Sequence, residues 1–102
     1  MTPTPDQTRA FDEAMHQIYV RAKSEVGYTA SRFHQMLQEH GGVETARRLL
    51  PDMSDGFAKL WEKKRLDLTV EFLVLEPQWH SLFTDAEREI ARERLRDSGM
   101  EI

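Results

Sequence analysis

The chain has 102 residues, 39% of them apolar and 31% charged, the make-up of one folded domain and not of a disordered segment. It contains no cysteine, which excludes disulfide staples, thiolate zinc sites and a cysteine nucleophile, and fits a reducing, cytoplasmic compartment. The net charge of −4 arises in residues 51–102, with twelve acidic and eight basic side chains, while residues 1–50 balance six against six. The surface as a whole is therefore not the concentrated basic footprint that duplex DNA requires, although one face could still be basic.

Met1 to Asp6 has neither the basic patch nor the apolar run of a signal peptide, and residues 1–4 read as a flexible N-terminus ahead of a single helical domain over 5–99. Thr4 as cap, Pro5 at the first helical position and Gln7 three residues after the cap predict a helix start. Phe11, Ala14, Met15, Ile18, Tyr19, Ala22 and Val26 then repeat at spacings of three and four, and Gly27 ends the pattern.

Tyr28, Thr29 and Phe33 predict a second helix, with Thr29 as cap and the two aromatics as a hydrophobic staple. Its stripe is Phe33, Met36 and Leu37, with His40 as a further candidate, and Gly41 stops it. After Gly42, the stripe Val43, Ala46, Leu49 and Leu50 predicts a third helix that Pro51 closes. Asp52 or Ser54 caps a fourth helix bearing Phe57, Leu60 and Trp61, whose second half is made basic by Lys59, Lys63, Lys64 and Arg65.

Leu66 to Leu75 fits two patterns. Leu66, Leu68, Val70, Phe72 and Val74 alternate as in a strand, whereas Leu66, Val70, Leu73 and Val74 fit a helical face with Asp67 as cap. A lone strand in a helical monomer would leave backbone groups without partners, so a buried helix of about two turns is favoured unless two copies pair. The stretch is too short and too often interrupted by polar residues to span a bilayer. Thr84 and Glu87 form a complete capping box for the last helix, with Ala86, Ile90, Ala91, Arg94 and Leu95 as its inner face and Gly99 as its stop. The fold expected is all-α, a compact bundle of about six short helices with a longer N-terminal one, and with Trp61, Trp79, Phe33, Phe72 and Ile18 in the core.

Little in the chain suggests chemistry. His16, His34, His40 and His80 lack the spacing of a zinc helix motif, so no metal and no cofactor are expected. No serine sits on a nucleophile elbow, and Gly41-Gly42 lacks the lysine and wider glycine spacing of a phosphate loop, so no enzyme is expected. Glu71 lies in the most apolar stretch, where a partner such as Arg65, Lys64, Arg47 or Arg48 would be needed. Binding residues are expected among Arg47, Arg48, Lys59, Lys63, Lys64 and Arg65. A helix-turn-helix reading of residues 29–50 would expose Glu44, Thr45, Arg47 and Arg48 on a reading helix.

Several short motifs carry a family likeness: Phe33-x-x-Met36-Leu37, Gly41-Gly42-Val43-x-x-Ala46-x-x-Leu49-Leu50, Gly56-Phe57-x-x-Leu60-Trp61, Arg65 to Glu71, Trp79-x-x-Leu82-Phe83-Thr84 and Glu87-x-x-x-Ala91-x-x-x-Leu95. Together, over Tyr28 to Leu95, the chain resembles a small bacterial all-helical domain found alone or attached to larger nuclease-like or defence-associated proteins. That resemblance implies a module and supplies no catalytic residues. Gly41-Gly42-Val43-x-x-Ala46 is also similar to the start of the reading helix in Fis-type DNA-binding domains. The leading expectation is a protein-interaction or regulatory module that binds a protein partner or itself, and the alternative is a DNA-binding domain.

Overall fold

The computed structural model describes residues 5–101. Among the described residues the α-helices are α1 (Pro5–Val26), α2 (Ser31–His40), α3 (Gly42–Leu49), α4 (Asp55–Glu62), α5 (Val70–Val74) and α6 (Asp85–Asp97). Two 3-10 turns, Leu66–Leu68 and Pro77–Leu82, lead into and out of α5. The expected N-terminal segment and the Thr4 cap lie outside the described residues. The radius of gyration is 12.7 Å, against about 13 Å for a compact chain of this length, so the bundle is closely packed.

Helix α1 is the spine. Its spacing of three and four places Phe11, Met15, Ile18 and Ala22 on one buried face, and α2, α3 and α5 pack against it. Phe11 anchors the core edge-on to Trp79 and Phe83, with ring centres 5.3 and 5.2 Å away. Gln7 reaches across to the second 3-10 turn, where its amide donates to Ser81 Oγ at 2.8 Å.

The structure differs from the sequence expectation at several joints. Thr29 does not cap α2: Ala30 holds that position with no side-chain bond, and Thr29 contributes its carbonyl to Ser31 N. Asp67 does not cap the next helix either. Arg65 draws its carboxylate away at 3.0 Å, and the Thr69 hydroxyl caps α5 through Phe72 N. Leu66 to Leu75 is thus a 3-10 turn followed by one helical stretch, and no strand occurs among the described residues. The Thr84–Glu87 capping box forms on both sides.

Trp79 and Ile18 are core residues, but Trp61 is 44% exposed because α4 buries Phe57 and Leu60 and turns its indole outward. Phe33 and Phe72 are half-buried. In α6 the packed side is Ala91, Leu95 and the half-buried Arg94. Ala86 and Ile90 are exposed, while Glu87 and Arg88 are half-buried, Glu87 in the capping box and Arg88 donating to Phe83 O.

Candidate functional site

At the Gly41-Gly42 corner, α2 and α3 are separated by one residue. Gly41 has φ +79 and donates to Leu37 O at 2.9 Å, a left-handed turn that suits glycine. Gly42 has no room for a side chain, because a Cβ there would lie 2.7 Å from Asp12 Oδ1 and 3.0 Å from Phe11 Cδ2. Its N–H donates to that same Asp12 Oδ1 at 2.6 Å. The first orphan amide of α3 is thus capped by a carboxylate from α1.

The corner leaves little free for a DNA groove. Thr45, expected on the exposed side, is fully buried and donates to Met36 O at 3.0 Å. Arg47 donates to Leu82 O at 3.0 Å and pairs with Glu87 at 3.2 Å. Arg48 is half-exposed and lies 3.8 Å from Glu44, one turn away on the same helix.

The other expected binding residues are spread along the end of α4. Lys59 pairs with Glu62, while Lys63 and Lys64 are exposed and make no ion pair among the described residues. The helix ends at Glu62. Lys63 is the C-cap and Lys64 turns the chain at φ +61, so these cations lie outside the helix and not along its face. Arg65 is drawn the other way, to Glu25 at 2.7 Å and Asp67 at 3.0 Å, with Arg21 joining at Glu25. The two guanidiniums hold the Glu25 carboxyl down at about 2, and Arg65 lowers Asp67 as well. Arg47 and Arg65 are therefore committed to acids of different elements, Arg47 to Glu87 of α6 and Arg65 to Glu25 of α1 and to Asp67.

A cleft of about 530 Å³ opens between α1, α2, α4 and the segment Leu68 to Glu71, within the range of small-ligand and peptide-anchor sites. Its walls are Ile18, Ala22, Phe33, Met36, Phe57, Leu60 and Val70, with Met53 on the lip. The exposed rim carries Arg32 and Arg48 together with Asp52 and Asp55, and Arg32, Asp52 and Asp55 make no ion pair among the described residues. Tyr28 borders the same space, and burial, reinforced by Asp55, pushes its phenol above the usual range, so it stays neutral at physiological pH.

Glu71 is the buried acid of this cleft, only 2% exposed. Its partner is Arg94 of α6, at 2.8 Å, and not any of the cations expected from sequence. Burial pushes the Glu71 carboxyl up, against the pull of Arg94. Next to the cleft, Tyr19 stacks on His34 with ring centres 4.5 Å apart, and His16 lies 6.1 Å from both rings. Sequence reasoning missed this cluster and the cleft, because both arise where α1 meets α2. No three potential metal ligands come together among the described residues. No described helix is long and apolar enough to cross a membrane.

No protein-family model, curated protein or solved structure matches this chain, and the structure shows a small, compact all-helical fold.

Proposed function

We propose that the protein is a non-catalytic interaction module whose docking site is the cleft between α1, α2 and α4. The carrying observation is an apolar cleft whose rim charges, Arg32, Asp52 and Asp55, have no ion-pair partner within the described chain. Its occupant is a short amphipathic segment of a partner protein, with apolar anchors for the walls and charges of both signs for the rim. Met36 and Met53 give the walls side chains that adapt to an irregular partner. The family resemblance supports a module acting alone or beside a larger bacterial nuclease-like or defence protein in the cytoplasm.

Gly56 supplies the test. It lies in α4 beside the cleft, and a Cβ there meets only Tyr28 Oη at 3.7 Å and Ser54 Oγ at 3.8 Å, ordinary contact distances. Gly56→Leu should therefore fold and fill the cleft. Peptides selected by display against the wild-type protein should bind with micromolar affinity, and Gly56→Leu should weaken them at least tenfold. Failure to select any peptide, or equal binding to the variant, rejects the reading. Dimerisation in sedimentation equilibrium that Gly56→Leu abolishes would make a second copy the occupant instead.

A second reading, duplex DNA held by Arg47, Arg48, Lys59, Lys63, Lys64 and Arg65, draws its support from the uncommitted Lys63 and Lys64. It requires salt-dependent anisotropy with random duplex that falls on Arg47→Ala with Arg48→Ala. No binding at about 10⁻⁴ M protein and low salt rejects it.

A further inference from the structure

Away from the cleft, Trp61 and Ile90 stay in solvent, 44% and 37% exposed. Single exposed apolar residues are ordinary, so each counts only with what surrounds it. Trp61 stands at the end of α4, with exposed Ala58 one turn before it and Lys63 and Lys64 just after it. Ile90 lies on α6 in a stripe with Ala86, Glu93 and Asp97, at spacings of four, three and four, and all four are exposed. The stripe is bare because Ala91 and Leu95 take the buried side of the helix. Beside it Glu89 and Arg92 pair with each other at 2.8 Å, and exposed Arg96 flanks it. Lys63, Lys64, Glu93 and Asp97, by contrast, make no ion pair among the described residues. Cations thus stand beside Trp61 and anions beside Ile90, and the fold does not join them. It holds α4 through Leu60 with Ala22 and Leu68, and α6 through Ala91 in the cluster of Phe11, Trp79 and Phe83.

We infer that the end of α4 in one copy docks on the exposed α6 stripe of a second copy of this chain, with Trp61 covering Ala86 and Ile90, and Lys63 and Lys64 meeting Glu93 and Asp97. Charge complementarity names the occupant: one surface of the chain carries the cations, another carries the anions, and each lacks within the copy what the other supplies. Glu93 and Asp97 are like charges one turn apart, which repel in the free copy, and cations from a second copy relieve that repulsion. Lysine suits such a contact, because a compact charge on a flexible stem tolerates loose register. The indole supplies the apolar area that exposed ion pairs, weak by themselves, do not. The surfaces joined are unlike, so the contact can continue from copy to copy. None of these residues lines the cleft, so self-association and docking of a partner segment do not compete for the same side chains.

Sedimentation equilibrium of the full chain tests the contact. At about 10⁻³ M protein and about 0.02 M salt the average mass should exceed the monomer's, and about 0.5 M salt should weaken the association at least tenfold. Lys63→Glu with Lys64→Glu should sediment as a monomer. So should Glu93→Lys with Asp97→Lys, although those reversals cancel the net charge of −4 and remove overall repulsion. An equimolar mixture of the two reversed variants should associate again, because each then supplies the charge that the other's surface needs. Trp61→Ala should weaken the wild-type association about tenfold, and Gly56→Leu should leave it unchanged. A wild-type monomer at low salt, association indifferent to salt, or a mixture no heavier than its parts overturns the inference and leaves the cleft reading in place. If a reversed variant fails to fold, the salt series and Trp61→Ala decide, and an association that Trp61→Ala does not weaken rejects the contact. Association that Gly56→Leu abolishes puts the second copy in the cleft and rejects it as well.

Discussion

Two glycines near helix starts have opposite surroundings. Gly42, at the corner, is pressed against Phe11 and Asp12, and its amide is held by the Asp12 carboxylate. Gly56, at the cleft, has room for a Cβ at ordinary contact distance from Tyr28 Oη and Ser54 Oγ. Around Gly42 the polar groups named above are spent on the fold itself: Thr45 on Met36, Arg47 on Leu82 and Glu87. Around Gly56 the rim charges Arg32, Asp52 and Asp55 have no ion-pair partner among the described residues. The corner that resembles a reading motif is thus tied into the packing of α1 and α6, whereas the cleft leaves its rim charges unmatched within the described chain.

Substitutions at the two sites should separate them most clearly. Gly42→Ala forces a Cβ against α1 and should cost roughly 2 kcal/mol in urea denaturation, despite alanine's better helix propensity. A change below a few tenths would mean that the corner is looser than its contacts imply. Asp12→Ala removes the cross-helix cap and should cost about 1.5 kcal/mol, with Asp12→Asn recovering part of the loss. In contrast, Gly56→Leu should raise stability by about 0.5 kcal/mol through helix propensity. A loss instead would show the cleft to be closed in solution.

The smallest effect is electrostatic. Glu25, held down at about 2 by Arg21 and Arg65, contributes stability above its ordinary value of 4.5 that is lost as the pH falls towards 2. Asp67, also lowered, acts in the same direction. Glu71 has the opposite sign: its raised value lets the folded chain take up a proton first, so its contribution falls as the pH rises above the ordinary carboxylate range. Arg65→Ala should flatten the acid limb of urea midpoints measured between pH 4.5 and 2, and high salt should shrink the difference because the network is exposed. An unchanged acid limb would show that the network forms no bond of consequence in solution.

Local signals decided how much of this was legible in the sequence. The periodicity of α1, the Ser54 cap and the Thr84–Glu87 box depend on residues within one or two turns, and each is present in the fold. Trp61 was misplaced because a four-turn stripe and a two-turn stripe look alike at their ends, and α4 buries only Phe57 and Leu60. The partner of Glu71 was missed for a different reason. Spacing puts Arg94 on the inner face of its helix, but it is 23 residues away, and only the packing of α6 on α5 joins the two. The cleft, too, is a property of helix placement, and no spacing within α1, α2 or α4 announces it.

The cap that Asp12 places on Gly42 also has a temporal consequence. It spans 30 residues, so the start of α3 gains its acceptor only after α1 has formed and docked. An eight-residue helix with no side-chain cap of its own has little reason to persist before that. Opening of α1 and of α3 should therefore be one event, with their amides exchanging hydrogen together, and a fragment beginning after Gly27 should lose α3 along with the helix it lacks.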